Sequence, residues 1–321
     1  MTDRLASFRG QAVLAAYRSG ETLAKVIPDT ALHRLGDVAG TALARRSSDR
    51  RRIVERHHRR ISGIDLAPAE LKTLVEESYR AYTRYYLQAF RLPTMSAQEI
   101  ADGFTVEGIE HLDDAMANDE VGPILALPHL GGFEWAATWI TRVRNWQLAA
   151  VVERLEPPEV FEWFRDYRAS IGINVIPLGP NAADEVVAAT LNREVMCLLC
   201  DRDLVGGGPE VEFFGERTTL PAGPAVMALR GGCRVLPTAV YFDGDGVHGV
   251  IRPPITIERD PDATSIRGDV VRFTQQLAIE LESLIRPAPE QWLVMQPNWP
   301  SDREALGLPQ NSPPAFPSAI S

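Results

Sequence analysis

Apolar residues recur at three- and four-residue spacings over residues 4–26 (Leu5, Phe8, Val13, Ala16, Leu23) and again over 68–92, which predicts two amphipathic helices. Pro28 breaks the first, and Asp29 or Thr30 offers an N-cap for another helix after it. "RLPTM", Arg91 to Met95, reads as a loop. From about Phe104 the rhythm changes. "VEGIEHLDDAMAND" is helical in pattern, "VGPILALP" reads as a buried strand, "FEWAATWITRV" as a helix and "WQLAAVVE" as a strand. "PPEVFEWFRDYRASIG" is a helix with prolines in its first turn and Gly172 at its end. "INVIPL", "VMCLLC" and "RVLPTAVYFD" follow as strands, separated by helices at about 182–192 and 222–230. "GVHGVIRPPITI" follows a "DGDG" turn and reads as an antiparallel addition; a helix over 266–285 and a last strand in "QWLVMQ" come after it.

Apolar strands alternating with helices imply an α/β fold, a central and mostly parallel sheet covered on both faces, here preceded by an N-terminal helical block. The expected organisation is a helical, membrane-associating block over 1–103, an α/β domain over 104–305 and a disordered Pro- and Ser-rich tail over 306–321.

The 321 residues are 45% hydrophobic, ample for a sizeable core, and no apolar run reaches the roughly 18 residues of a spanning helix. Cys197, Cys200 and Cys233 are odd in number and sit in apolar segments, which suits a reducing compartment. The C-x-x-C spacing has no second cysteine pair, which weighs against zinc. A net charge of -10 argues against a nucleic-acid partner, yet residues 1–68 carry 13 Lys+Arg against 7 Asp+Glu. Within them "RRSSDRRRIVERHHRR", Arg45 to Arg60, is either a site for anionic headgroups or a solvated charged helix.

Ligands of open α/β sheets gather outside the carboxyl ends of the strands, where "LPHLGGFEWAA" places His129. Glu134 falls in the first turn of the next helix. A carboxylate on one imidazole nitrogen would free the other to act as a base toward a hydroxyl; equally, Glu134 could simply complement a helix dipole. Gly131 and Gly132 allow close backbone approach to a ligand. In "CLLCDRDLVGGGPEVEFFG", a strand runs into Asp201, Arg202 and Asp203 and then a glycine loop containing Gly207, facing the same crevice or forming a solvated turn. Glu153 ends another strand, and Arg168 lies in the helix after it, as a phosphate partner or an ordinary exposed arginine. Neither a P-loop, a dinucleotide-binding glycine fingerprint nor a G-x-S-x-G elbow occurs.

Together "VEGIEHLDDAM", "LPHLGGFEWA" with its H-x4-E, "DRDL" with the glycine loop, "VEFFGERTTLPAGPA" and "PEQWLVMQPNWP" resemble the lysophospholipid acyltransferase superfamily. The similarity runs over roughly 104–300 and is to the branch shared by lipid A acyltransferases and phosphatidylinositol mannoside acyltransferases. "HLGGFEWA", "DRDL" and "QPNWPSD" look more like the mannoside enzymes.

The resemblance implies that His129 is a general base with Glu134 as its acidic partner, and that Asp201, or else Asp203 or Glu210, is a further site acid. It also implies that Glu153, Arg168, Arg202, Asp203, Gly207 and Arg230 meet substrate, and that no metal or other cofactor is needed. The implied reaction moves a long acyl chain, such as palmitoyl, from acyl-CoA to a mannose hydroxyl of a phosphatidylinositol mannoside. It would run at the cytoplasmic face of the plasma membrane, with amides near Gly131 and Gly132 meeting the oxyanion. Two alternatives stay open: an acyltransferase for lipid A or another lysolipid, and an idle lipid-binding protein of the same fold.

Overall fold

The computed structural model describes residues 14–309 except 16, 25, 47, 156, 258 and 260–263. Leu5, Phe8, Val13 and Ala16 of the first expected helix, and the tail from residue 310, lie outside the described residues. Residues 17–24 are helical; Tyr17 and Ala24 are buried, whereas Leu23 turns out to solvent.

Three helices follow, α1 (Asp29–Arg46), α2 (Ser48–Ser62) and α3 (Pro68–Arg91), and then a short α4 (Ala97–Asp102). Ser96 and Glu99 form a reciprocal capping box that starts α4. Seven strands make the central sheet: β1 (Phe104–Glu107), β2 (Ile124–Leu127), β3 (Leu148–Val152), β4 (Ile173–Pro177), β5 (Val195–Leu199), β8 (Val235–Asp243) and β9 (Gly246–Ile251). Their order is β1-β9-β8-β2-β5-β3-β4, and every neighbouring pair is parallel except β8 with β9. A separate antiparallel hairpin pairs β6 (Glu210–Phe213) with β7 (Glu216–Thr219). The connecting helices are α5 (Ile109–Asn118), α6 (Phe133–Arg142), α7 (Pro158–Ser170), α8 (Ala182–Leu191), α9 (Gly223–Gly231) and α10 (Arg267–Ile285), with α11 (Pro300–Ala305) near the end.

Both faces of the sheet are covered, as the apolar strands required. On β2, Leu125 and Leu127 enter one core while Ile124 and Ala126 enter the other, because successive side chains point to opposite faces. The first core also takes Leu32, Val75, Tyr79 and Phe90, so the N-terminal helices share the sheet's core. The second is closed by Phe273, Leu277, Leu281 and Leu284 of α10. Cys197 on β5 packs on the first core and Cys200, just past its end, lies in the second, so the C-x-x-C thiols sit on opposite sides of the sheet. Burial pushes the Cys197 thiol up to about 12, which suits a packing role.

Three features depart from the sequence pattern. β1 occupies the first residues of the stretch read as helical, where pairing with β9 gives Phe104–Glu107 backbone partners that local pattern cannot announce. The β6–β7 hairpin turns through Phe214 and Gly215, both at positive φ, without the expected turn dipeptides. The segment of "QWLVMQ" forms no sheet strand. It brackets the His129 loop instead, through a single bridge between Leu130 and Trp292 and hydrogen bonds from Leu293 N–H to His129 O (2.7 Å) and from Gly131 N–H to Gln291 O (3.0 Å).

The arginine-rich stretch is also rearranged by the fold. It spans the end of α1 and most of α2, and several of its charges turn inward. Arg56 and Arg60 pair with the buried carboxylate of Asp302 at 2.7 and 3.1 Å, and Arg60 stacks on Trp299 with its guanidinium carbon 3.9 Å from the ring centroid. His57 bridges Asp302 and the Val294 carbonyl. Burial alone would raise the Asp302 carboxyl, but His57, Arg60 and Arg56 outweigh it and hold the group well below the usual carboxylate range. Much of the cluster is therefore structural glue, leaving Arg45 and Arg46 exposed at the end of α1.

Candidate active site

The site follows from strand register. β2 and β5 are adjacent and parallel, with Leu127 opposite Leu199, so the next residue but one on each strand brings His129 opposite Asp201 at the carboxyl edge. His129 Nδ1 and Asp201 Oδ1 are 2.6 Å apart, and the His129 backbone N–H donates to Asp201 Oδ2 at 2.8 Å. Asp201 is fully buried, whereas the His129 side chain is 24% exposed. With Nδ1 held by the carboxylate, Nε2 is the nitrogen left to face a substrate.

Asp201 is held from every side. Trp292 donates its indole N–H to Asp201 Oδ2 at 2.6 Å, and the Asn298 side-chain amide donates to the Asp201 backbone carbonyl at 2.9 Å. Burial by itself would raise this carboxyl, but the facing imidazole and the donors from His129 and Trp292 outweigh it, and the group sits below its ordinary value. An ionised carboxylate on Nδ1–H fixes the ring's tautomer and stabilises the imidazolium formed when Nε2 takes a proton.

Glu134 does not pair with the imidazole. Its Oε1 accepts from Arg168 Nη2 (2.7 Å), Arg168 Nε (3.1 Å) and the Tyr85 hydroxyl (2.9 Å) beneath the first turn of α6. The helix start aims residue 134 into the core beside α3 and α7, while the opposing strand supplies the acid for His129. Arg168 is accordingly no exposed helical arginine: burial opposes its charge, Glu134 outweighs that, and the group is held above its ordinary value.

Gly131 adopts φ +55°, and a Cβ there would lie 2.1 Å from Val240 O. Its N–H is committed to Gln291 O, so of the two glycine amides only that of Gly132 lacks an acceptor among the described residues.

The remaining expected residues separate into two groups. Glu153, just past β3, lies close enough to Arg202 to favour the guanidinium's charge. Burial of Arg202 is the stronger effect and lowers it, and Asp201 also opposes that lowering. Both stand beside the dyad at the same sheet edge. Asp203 turns away, its two oxygens accepting from Gly206 N–H and Gly208 N–H at 2.9 Å each, so it shapes the glycine loop. Glu210 is exposed and paired with Arg217 at 2.7 Å. Asp201 is thus the acid at His129. Gly207 and Arg230 lie farther along, on a separate groove. Trp292, Asn298 and Tyr85 were assigned no role from sequence; the one signal was that the first two fall in "PEQWLVMQPNW", a stretch carrying the family resemblance without an evident catalytic group.

Two strand ends present an imidazole and a buried carboxylate at the edge of a sheet wrapped by helices, an arrangement able to accept and return a proton. The model of the bacterial lipid A biosynthesis acyltransferase family matches residues 10–301, so the chain belongs to that family and is an acyltransferase, in the class transferring acyl groups other than amino-acyl (EC 2.3.1). It is similar to the phosphatidylinositol mannoside acyltransferase of Mycobacterium tuberculosis (strain CDC 1551 / Oshkosh), 35% identical over 292 residues covering 89% of this chain and 88% of that one. The protein of the same name from Mycolicibacterium smegmatis is 34% identical over 299 residues, covering 91% and 93%. Among the described residues no helix is long and apolar enough to cross a membrane.

Proposed function

We propose that this acyltransferase moves a long acyl chain from acyl-CoA to a mannose hydroxyl of a phosphatidylinositol mannoside, with His129 as general base. The hydrogen bond between His129 Nδ1 and Asp201 Oδ1 is the observation that carries the reading, together with the likeness to the mannoside enzymes. His129 Nε2 takes the proton as the hydroxyl oxygen bonds to the thioester carbon. Collapse of the tetrahedral intermediate breaks the C–S bond, and the imidazolium returns the proton to the departing CoA thiolate. The Gly132 amide is a candidate donor to the intermediate's oxyanion. Glu153 and Arg202, at the same sheet edge as the dyad, are the residues this reading assigns to the sugar. The residues supply a base and an acid, so the scheme asks for no cofactor.

The acceptor is a membrane lipid, and the protein acts as a peripheral protein at the cytoplasmic face of the plasma membrane. Four exposed apolar side chains support this, Leu23 and Val26 before α1 and Leu35 and Val38 on it, with Arg45 and Arg46 exposed in the last turn of the same helix.

The test is transfer of labelled palmitoyl from palmitoyl-CoA to purified mannosylated phosphatidylinositol. Lipid A precursors and lysophospholipids serve as competing acceptors. The mannoside is the expected preferred acceptor, and His129→Ala is expected to lose roughly 10²–10⁴-fold in rate or more. A fully active His129→Ala protein, or preference for another acceptor, overturns the corresponding part.

A further inference from the structure

β2 pairs with β8 only as far as Ala126 opposite Pro237, so beyond that point β8 has no strand on its β2 side. Phe242, farther along β8, presents its N–H and carbonyl to this open side, and the Gln291 side chain takes up both. Oε1 of Gln291 accepts from Phe242 N–H at 2.6 Å, and Nε2 donates to Phe242 O over a longer 3.4 Å. A primary amide carries a donor and an acceptor side by side, as a peptide group does, so this one side chain fills the place of the missing strand. The same residue accepts Gly131 N–H on its backbone carbonyl at 3.0 Å. It closes a short 3-10 turn, Pro289–Gln291, and its neighbour Trp292 holds Asp201. The Gln291 amide also serves as a hydrogen-bond partner of the half-buried Glu290 carboxylate.

The turn through Gly131 and Gly132 is wedged into the gap closed in this way. A Cβ on Gly131 would run into Val240 O, and one on Gly132 would meet Gln88 Oε1 at 2.8 Å and Phe242 Cε1 at 3.3 Å. One side of the turn is therefore β8 and the other the Gln291 backbone, and Gln291 is bonded to both. Only the Gly132 amide is left without an acceptor among the described residues. A donor stabilises an oxyanion strongly only when it is fixed before the charge develops, because reorganising it during reaction costs what it would contribute. We infer that Gln291 is a positioning residue for acyl transfer: by tying Gly131 to Phe242 it fixes the Gly132 N–H as the donor to the oxyanion. The inference rests on the reading of the Gly132 amide as that donor and deepens it. Adjacent residues then serve the two halves of the reaction, Trp292 through the carboxylate behind the base and Gln291 through the amide at the oxyanion.

Two variants of the whole protein test this: Gln291→Met, of similar length but without an amide, and Gln291→Glu, which keeps an acceptor for Phe242 N–H. With whichever acceptor lipid the wild type prefers, Gln291→Met is expected to lose about 10- to 100-fold in kcat, less than outright removal of an oxyanion donor costs. KM for either substrate should stay within about twofold, and Gln291→Glu should recover part of the rate. The pH midpoint of kcat should not move, which separates a displaced oxyanion donor from damage to the His129–Asp201 pair. Amide hydrogen exchange in the resting protein reads the clamp without any substrate: exchange over residues 128–135 should quicken in Gln291→Met while β3 and β4 keep their wild-type rates. In a methionine variant too unstable to assay, the glutamate variant carries both readings. Wild-type kcat overturns the assignment, as does a fall accompanied by a moved pH midpoint or a matching rise in KM. Unchanged exchange over 128–135 overturns the clamp even where no acceptor is turned over. Quickened exchange together with the kcat loss supports it whichever lipid is the acceptor, so a failure of the mannoside reading shows separately.

Discussion

His129 and Asp201 are joined twice, through the imidazole to one carboxylate oxygen and through the backbone N–H to the other, at 2.6 and 2.8 Å. An asparagine at 201 has only one acceptor oxygen, so one of these links must fail or meet an N–H. Asp201→Asn is therefore expected to lower kcat by roughly 10²–10⁴-fold and to weaken the fold by about 1–3 kcal/mol. A wild-type rate would remove the carboxylate from the mechanism.

Trp292 is the positioning partner of that carboxylate. Trp292→Phe keeps an aromatic ring in the core but removes the indole N–H, and with it a hydrogen bond to a charged group. The expected loss is about 1.5–3 kcal/mol in denaturant unfolding, with a fall in kcat larger than any change in KM. Unchanged stability and kcat together would show that the 2.6 Å contact contributes nothing.

Glu134 and Arg168 form a buried pair, so removing one leaves the other uncompensated. Glu134→Ala is expected to cost about 3–5 kcal/mol, and adding Arg168→Met should restore part of it. A double-mutant cycle in urea reads the coupling; additive effects would mean that the two side chains do not share the 2.7 Å contact in solution.

Acid should destabilise the fold well above the carboxylate range. Burial lowers His58 to about 4 and also lowers His57, so both stay neutral in the folded chain after the unfolded chain has taken up protons near 6.5. The stability they permit is complete above pH 6.5 and is lost as pH falls toward about 4, on the order of 3 kcal/mol from His58. Asp201 and Asp302, both held low, add a further loss only below about pH 4. Urea midpoints at pH 7.5 and 5 should converge in His58→Gln, whose amide can still meet Ser78; an undiminished difference would place the acid sensitivity elsewhere.

Leu35 and Val38 stand one helical turn apart and exposed on α1. Leu35→Asp with Val38→Asp should reduce flotation with anionic liposomes by about tenfold or more, while raised salt weakens wild-type binding only partly. Flotation abolished by salt and indifferent to these substitutions would assign membrane contact to arginines alone.

The strand-helix alternation was legible from the pattern, because strands buried on both faces must be continuously apolar: α3, α7, α8, α9 and α10 fall within a residue or two of their expected ends, apart from the longer C-terminal run into Gly172. β1 and the β6–β7 hairpin were not, since their stability comes from partners distant in sequence. The C-terminal "QWLVMQ" carries a strand's pattern, yet its backbone donors are used on the His129 loop.

By itself the sequence determined the fold class, the position of His129 beyond a buried strand, and Asp201, Arg202 and Asp203 at the end of another. Spacing along one segment pointed to Glu134 as the imidazole's companion, since both stand in "HLGGFE". Only the tertiary structure decided otherwise. The register of β2 against β5 brings Asp201, 72 positions away, to His129, while the helix turn sends Glu134 into the core against Arg168. The Arg45–Arg60 run was likewise open in one dimension, and the buried acid that neutralises Arg56 and Arg60 lies more than 240 residues later, at Asp302. A local pattern records which side chains need partners; the packing of distant strands and helices settles which partners they meet.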